Sequence, residues 1–287
     1  MKTDFQNITI LGGGLLGGSL VLALAGLENP PCVRLWVRKS AAVDEAQKIG
    51  IEKVTCDLAE AIQDVDLLIL AVPVGSMGSL VTAALDAGLP DHCLITDVGS
   101  VKRAPHHFIL PLLRGREIKF IGSHPMAGSE RNGLAAASST LFQNAACLLT
   151  NDDAAPKELA DALEQFWKTI GCRTSWMSAV VHDELVARIS HLPHLIAACA
   201  ARICLKDPSE GRFGGGGLRD TTRVAGGNPS MWAEIVTENR EALIGPIQET
   251  ITDLREILAS LENGDQEQVR QWLDVAKNRR DPFNQPQ

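Results

Sequence analysis

Apolar residues in the first half of the chain come as short unbroken runs, each followed by a longer stretch in which apolar and polar positions mix at helical spacing. Residues 8–11, 33–37, 65–73, 93–100 and 118–124 read as strands, those over 65–73 and 93–100 as buried ones, with a further strand near 52–55; residues 19–27, 40–50, 57–63 and 76–88 read as helices. Continuously apolar strands alternating with helices predict a parallel sheet covered on both faces. From about residue 176 the strand pattern stops. Residues 178–205 predict one long, buried helix, kinked where Pro193 frees carbonyls upstream. Residues 228–264 predict a second long helix, with Asn228 as N-cap and Pro229 at its first position. Its residues Leu243, Ile247, Ile251, Leu254, Leu258 and Leu261 recur at steps of three and four, an amphipathic stripe suited to packing on a second copy. The fold class expected is an α/β domain over 1–175 followed by an all-α domain over 176–287, with a frayed end from Asn278 onward.

A length of 287 residues suits two domains, and 45% hydrophobic with 22% charged residues supplies an ordinary core. The net charge of −8 and the lack of any basic patch interleaved with aromatics argue against a nucleic-acid partner. The apolar run from Leu15 to Leu27 carries three glycines and is too short for a membrane span of about 20 residues. With no signal-peptide pattern, a cytoplasmic protein without membrane contact is expected. Seven cysteines, none spaced C-x-x-C, read as scattered buried thiols in a reducing compartment. Tyrosine is absent, so dehydrogenase chemistry built on a Tyr-x-x-x-Lys pair is excluded.

Gly12-Gly13-Gly14-Leu15-Leu16-Gly17 lies between the first strand and the first helix, the G-x-G-x-x-G order of a dinucleotide-binding turn. Gly12 permits the turn, Gly14 lets a pyrophosphate approach the backbone, and Gly17 lets helix pack on strand, while the helix N-terminus faces the phosphates. At the end of the second strand, where an NAD enzyme usually carries an acid for the ribose 2′-hydroxyl, stand Arg38, Lys39 and Ser40. Two cations and a hydroxyl suit a 2′-phosphate, so NADP is expected in preference to NAD; the alternative is a solvated pair of charges. Ligands of open parallel sheets lie beyond the strands' carboxyl ends, which places Val72, Pro73, Asp97, Gly99 and Ser100 beside the cofactor.

The stretch 122–130, Gly-Ser-His-Pro-Met-Ala-Gly-Ser-Glu, reads as a loop at the same edge. His124 there suits a general base near neutral pH, and Ser100 could share the hydroxyl it deprotonates. On the kinked helix, Ser190, His191 and His194 aim at a cavity; the histidine pair lacks the H-E-x-x-H pattern, so no metal is expected, and core histidines are the alternative. Residues 211–232 combine four consecutive glycines with Arg219, Asp220 and Arg223, donor-rich chemistry for an anionic substrate, or else a surface ion pair over a flexible turn.

Taken in order, the Gly-rich turn, Asp97-Val-Gly-Ser100-Val-Lys102, the 122–130 stretch, Ile189-Ser-His-Leu-Pro-His194 and Arg219-Asp-Thr-Thr-Arg223 resemble the prephenate and arogenate dehydrogenase family of tyrosine biosynthesis over essentially the whole chain. The resemblance implies a Rossmann domain followed by a helical dimerisation domain, hence a homodimer. It implies that His124 accepts the proton of the ring hydroxyl and that Ser100 assists. By the same resemblance Arg223 grips a substrate carboxylate with Asp220 nearby, Ser190, His194 and Glu130 face the substrate, and Trp232 reaches toward the partner's site.

The reaction so implied is oxidative decarboxylation of prephenate to 4-hydroxyphenylpyruvate with hydride transfer to NAD(P)+; the alternative is an arogenate or dual-specificity cyclohexadienyl dehydrogenase. The uncharged Ser129 favours prephenate, whose side chain lacks arogenate's ammonium. No regulatory domain is expected beyond the helices. Rival readings are another two-domain reductase of Rossmann-plus-helical type and a catalytically silent NADP sensor.

Overall fold

The computed structural model describes residues 3–128 and 133–284. Its first sheet has six parallel strands in the order β3-β2-β1-β4-β5-β6: β1 Asn7–Leu11, β2 Cys32–Trp36, β3 Val54–Thr55, β4 Leu67–Leu70, β5 Leu94–Asp97 and β6 Lys119–Phe120. Helices α1 Leu15–Ala25, α2 Ser40–Lys48, α3 Leu58–Ala61, α4 Val74–Asp86 and α5 Arg103–Ile109 connect them. Strand order reverses between β1 and β4, and the crevice at that switch point is where such a sheet takes a dinucleotide.

Two apolar layers cover the sheet. One gathers Leu20, Leu24, Phe166 and Trp167 with Ile8 and Ile10; the other gathers Met77, Val81, Ile109 and Phe120 with Leu68 and Leu70. Each fully buried aliphatic side chain contributes roughly 1.5–3 kcal/mol.

The run 118–124 is two strands. After β6 the chain leaves the main sheet at Ile121 and forms β7 Gly122–Pro125, which pairs antiparallel with β8 Ala146–Thr150; β8 pairs parallel with β9 Arg173–Trp176. His124 therefore stands in a strand, opposite Leu148, and not in a loop. Helix α6, Lys157–Thr169, backs this small sheet, and Trp167 Nε1 donates to Ser123 Oγ at 3.0 Å.

The expected single helix over 178–205 is α7 Ala179–Val186, a π-turn Ala187–His191 and α8 Leu192–Cys204. Pro193 has no N–H and its ring excludes the carbonyl four residues back, so the wider π-turn takes up the break. The glycine-rich stretch is helical rather than loose: α9 Gly216–Thr222 runs into a 3₁₀ turn, Arg223–Gly226. Asn228 caps α10, Pro229–Glu238, by accepting from Ser230 and Met231 N–H at 3.0 and 3.2 Å.

The chain forms two compact units, one ending at Asn239 and one starting at Arg240. The predicted helix 228–264 is thus divided, and the second unit is a hairpin of α11 Arg240–Glu262 and α12 Gln266–Arg280. Residues 278–280, expected to fray, complete α12. Among the described residues no helix is long and apolar enough to cross a membrane. All seven cysteines are free, but only Cys93, Cys147 and Cys172 are buried; Cys56, Cys199 and Cys204 are exposed.

Candidate active site

The turn after β1 has the shape a pyrophosphate needs. Gly12 adopts φ +124°, and a Cβ there would lie 2.2 Å from the Ala71 carbonyl oxygen beyond β4. A Cβ at Gly17 would lie 1.9 Å from the Gly12 carbonyl oxygen, so only glycine lets α1 sit this close to the turn. A Cβ at Gly14 would meet nothing, and Gly14 caps α1 without a side chain, which leaves the helix's first N–H groups open to an anion. The residues present therefore fit a dinucleotide. Leu15 and Leu16 open the helix, Val72 follows β4 and Pro73 precedes α4. Beyond β2, Arg38, Lys39 and Ser40 are exposed, and neither cation forms an ion pair among the described residues.

His124, 7% exposed, belongs to a hydrogen-bonded chain. Its Nδ1 lies 2.9 Å from His182 Nε2, and His182 Nδ1 lies 2.7 Å from Asp183 Oδ1. Asp183 accepts backbone N–H bonds from Lys102 at 2.7 Å and Arg103 at 3.0 Å. Burial pushes the His124 imidazole well below its usual range, and the neighbouring His182 and the Lys102 ammonium add to this. His182 is lowered mainly by burial as well, against the pull of Asp183. Burial alone would raise Asp183, but the bonds from His182 and the two backbone N–H groups hold it below the ordinary carboxylate range.

Asp97, expected beside the cofactor, is consumed within the scaffold. It pairs with the fully buried Lys102 and accepts from the N–H groups of Gly99 at 2.8 Å and Ser123 at 3.2 Å. The bond from Ser123 N–H ties the β5 end, which leads to Ser100, to the strand that carries His124.

The π-turn and α8 supply the opposite wall. Asn239 Nδ2 reaches His191 Nδ1 at 3.0 Å and the Asp183 carbonyl at 2.9 Å. Burial brings His191 down to about 4, with Asp183 and the Ser100 carbonyl opposing, and its Nε2 is buried without a hydrogen-bond partner. His194 stacks on Trp232, and its Nδ1 is likewise buried and unpartnered. Buried polar atoms left without a partner are rare in folded proteins and fit a site that takes a polar ligand.

Comparison with known proteins gives this geometry its family. Residues 32–176 match the profile described as "Prephenate dehydrogenase, nucleotide-binding domain", and residues 178–275 match "Prephenate dehydrogenase, dimerization domain". The chain belongs to the prephenate dehydrogenase family. It is 33% identical over 278 residues to a cyclohexadienyl dehydrogenase of Zymomonas mobilis, covering 92% of this chain and 91% of that protein. To the prephenate dehydrogenase of Bacillus subtilis it is 32% identical over 284 residues, covering 96% of this chain and 76% of that one. The crystal structure of Aquifex aeolicus prephenate dehydrogenase in complex with hydroxyphenyl propionate and NAD+ superposes with a TM-score of 0.88 at 26% identity, covering 99% and 100% of the two chains.

Against this family background, the residues singled out from sequence fall in three groups. His124 stands at the centre, with Ser100 half-buried at the β5 end and Ser190 half-buried in the π-turn that also carries His191. His194 and Trp232 form one stacked wall. Arg219, Asp220 and Arg223 are exposed around the α9 end, in a turn packed on α8. Glu130 and Ser129 lie outside the described residues.

Sequence reasoning missed His182, Asp183, Lys102 and Asn239 as parts of the site. The adjacent His182-Asp183 pair inside an apolar helical run was the available signal, since buried titratable groups in such a run demand partners.

Proposed function

We propose that this member of the prephenate dehydrogenase family oxidatively decarboxylates prephenate to 4-hydroxyphenylpyruvate with NADP+ as the preferred acceptor. The observation that carries the reading is His124: an imidazole held neutral by burial, on a strand that packs against β5 of the dinucleotide-binding sheet, the strand that leads to Ser100. A bound nicotinamide would supply the hydride acceptor for the hydroxyl-bearing ring carbon. The chain's own residues do the rest. His124 takes the hydroxyl proton, Ser100 shares that oxygen, and Arg223, with Arg219 near, meets substrate carboxylates as a planar donor fork. His194, Ser190 and His191 line the ring, with Trp232 behind His194, and Glu130 and Asp220 are assigned to the substrate side on the family resemblance. Loss of the ring carboxylate as carbon dioxide then aromatises the ring, so positioning and deprotonation are the main demands.

The NADP preference rests on Arg38 and Lys39, exposed and free of acidic partners at the β2 end, where no carboxylate stands for a ribose 2′-hydroxyl. A homodimer through the helical part is supported by the family's dimerisation domain and by Ile251, Leu254, Leu258 and Leu261 of the expected stripe, exposed along α11 in heptad register with Ile244, whereas Leu243 is buried and Ile247 half-buried. The compartment proposed is the cytoplasm, in keeping with seven unpaired cysteines.

Formation of reduced cofactor, crossing prephenate and arogenate with NADP+ and NAD+, tests the reading. Turnover of prephenate with NADP+ above the other three pairs is expected; arogenate turnover alone would make this an arogenate dehydrogenase. Silence in all four would favour another Rossmann-plus-helical reductase or a catalytically silent NADP sensor.

A further inference from the structure

We propose that His182 and Asp183 are positioning residues that hold His124 in the one tautomer able to act as a base. The proposal rests on the reading of His124 as proton acceptor. Four hydrogen bonds fix the direction of the chain.

Asp183 receives the backbone N–H groups of Lys102 and Arg103, at 2.7 and 3.0 Å, one on each carboxylate oxygen. Backbone N–H groups only donate, and a donor on each oxygen favours the charged form, so the side chain is a carboxylate. His182 Nδ1, 2.7 Å from Oδ1, must then carry a proton. A neutral imidazole protonated at Nδ1 has a bare lone pair at Nε2. That lone pair faces His124 Nδ1 at 2.9 Å, so His124 donates from Nδ1 and keeps its own lone pair on Nε2. The opposite tautomer would set lone pair against lone pair. When the substrate hydroxyl gives its proton to Nε2, the Nδ1 proton stays on His124, and the new charge is stabilised through His182 by the carboxylate of Asp183.

The elements packed around His124 bring other titratable groups, and their balance is consistent with this direction. Lys102 beside α5 disfavours a cation on His124 but is itself paired with Asp97 of β5. His191 of the π-turn is neutral near physiological pH and is fixed by Asn239. Asp183 is thus the anion placed in line with the base.

The base comes from β7 and the residues that orient it from α7, separated by 58 positions in the chain. The proton acceptor is therefore assembled only when the two elements are docked.

The test pairs two variants of the full-length holoenzyme with ¹⁵N NMR of the histidines in the wild type. His182→Leu removes the acceptor for His124 Nδ1, whereas His182→Gln still offers a side-chain carbonyl oxygen. His182→Leu is expected to lower kcat by about 10²–10³-fold with KM for prephenate and for NADP+ within about threefold. His182→Gln should recover about tenfold or more of that loss. A purely structural role would follow thermal stability in both variants and would not restore kcat selectively. The NMR should show His124 protonated at Nδ1 and bare at Nε2. His124 protonated at Nε2 in the resting enzyme, or a kcat for His182→Leu within about threefold of wild type, would overturn the proposal. If His182→Leu fails to fold, the tautomer and the Gln variant decide. Were the wild type inactive on prephenate and arogenate, the proposed function would fall while the NMR still judged the relay.

Discussion

Trp232 lies flat against His194, with ring centroids 3.5 Å apart and planes 9° apart. Because His194 Nδ1 has no hydrogen-bond partner, stacking sets the direction of this imidazole, and a Cβ at Gly227 would strike the indole that holds it. An aromatic pair contributes about 0.5–1.5 kcal/mol beyond its buried area. Trp232→Leu should accordingly raise KM for prephenate by about 3–10-fold with kcat little changed, read by steady-state kinetics. A fall in kcat at constant KM would instead tie His194 to the chemical step.

The phosphate turn allows binding and folding to be separated. A Cβ at Gly14 meets no protein atom, whereas one at Gly17 lands 1.9 Å from the Gly12 carbonyl oxygen. Gly14→Ala should leave the melting temperature of the free protein unchanged and weaken NADP+ binding about tenfold or more by occupying the phosphate's space. Gly17→Ala should also cost roughly 1–3 kcal/mol of stability, because backbone must move. Calorimetry with and without cofactor distinguishes the two; equal melting losses would show that Gly14 is packed as tightly as Gly17.

These contrasts also show what a single sequence can disclose. The Gly-rich turn, the strand and helix alternation and the Asn228 cap were legible because each depends on residues within a few positions of one another. His124 was legible as chemistry but misplaced in a loop: Pro125 and the surrounding glycines suggest a turn, whereas pairing with β8, 22 or more residues later, makes 122–125 a strand. Strand β9, Arg-Thr-Ser-Trp, has neither apolar alternation nor a continuous apolar run, and it exists because β8 offers a free edge. His182 and Asp183 were invisible for the same reason as β9, since their partners His124, Lys102 and Arg103 lie 58 to 81 positions away.

Arg223 heads a turn packed on α8 and has no protein partner for its guanidinium among the hydrogen bonds of the described residues. A charged contact removed from an anionic substrate costs roughly 2–5 kcal/mol. Arg223→Ala should therefore raise KM for prephenate by about 30-fold or more while NADP+ binding stays unchanged. If kcat fell and KM held, the carboxylate grip would pass to Arg219, one helical turn earlier.

The buried histidines make the protein acid-sensitive in a defined direction. His191 is held down to about 4 by burial, and His124 and His182 are displaced the same way by the same cause. Unfolded, each returns to about 6.5, so below that value the unfolded chain binds more protons than the folded one and stability falls with pH. The full contribution is present above about pH 7, is lost as pH drops through 6.5, and for His191 levels off below about 4. His191 alone accounts for roughly 3 kcal/mol over that window, at about 1.4 kcal/mol per pH unit. Urea unfolding of the free protein between about pH 8 and 5 should show a constant midpoint above 7 and a steady decline below 6.5. Turnover should keep its plateau to a lower pH than an ordinary imidazole base allows, because His124 is still neutral there. A flat urea midpoint with an acid limb of kcat near 6.5 would mean that these imidazoles are reached by water in the folded protein.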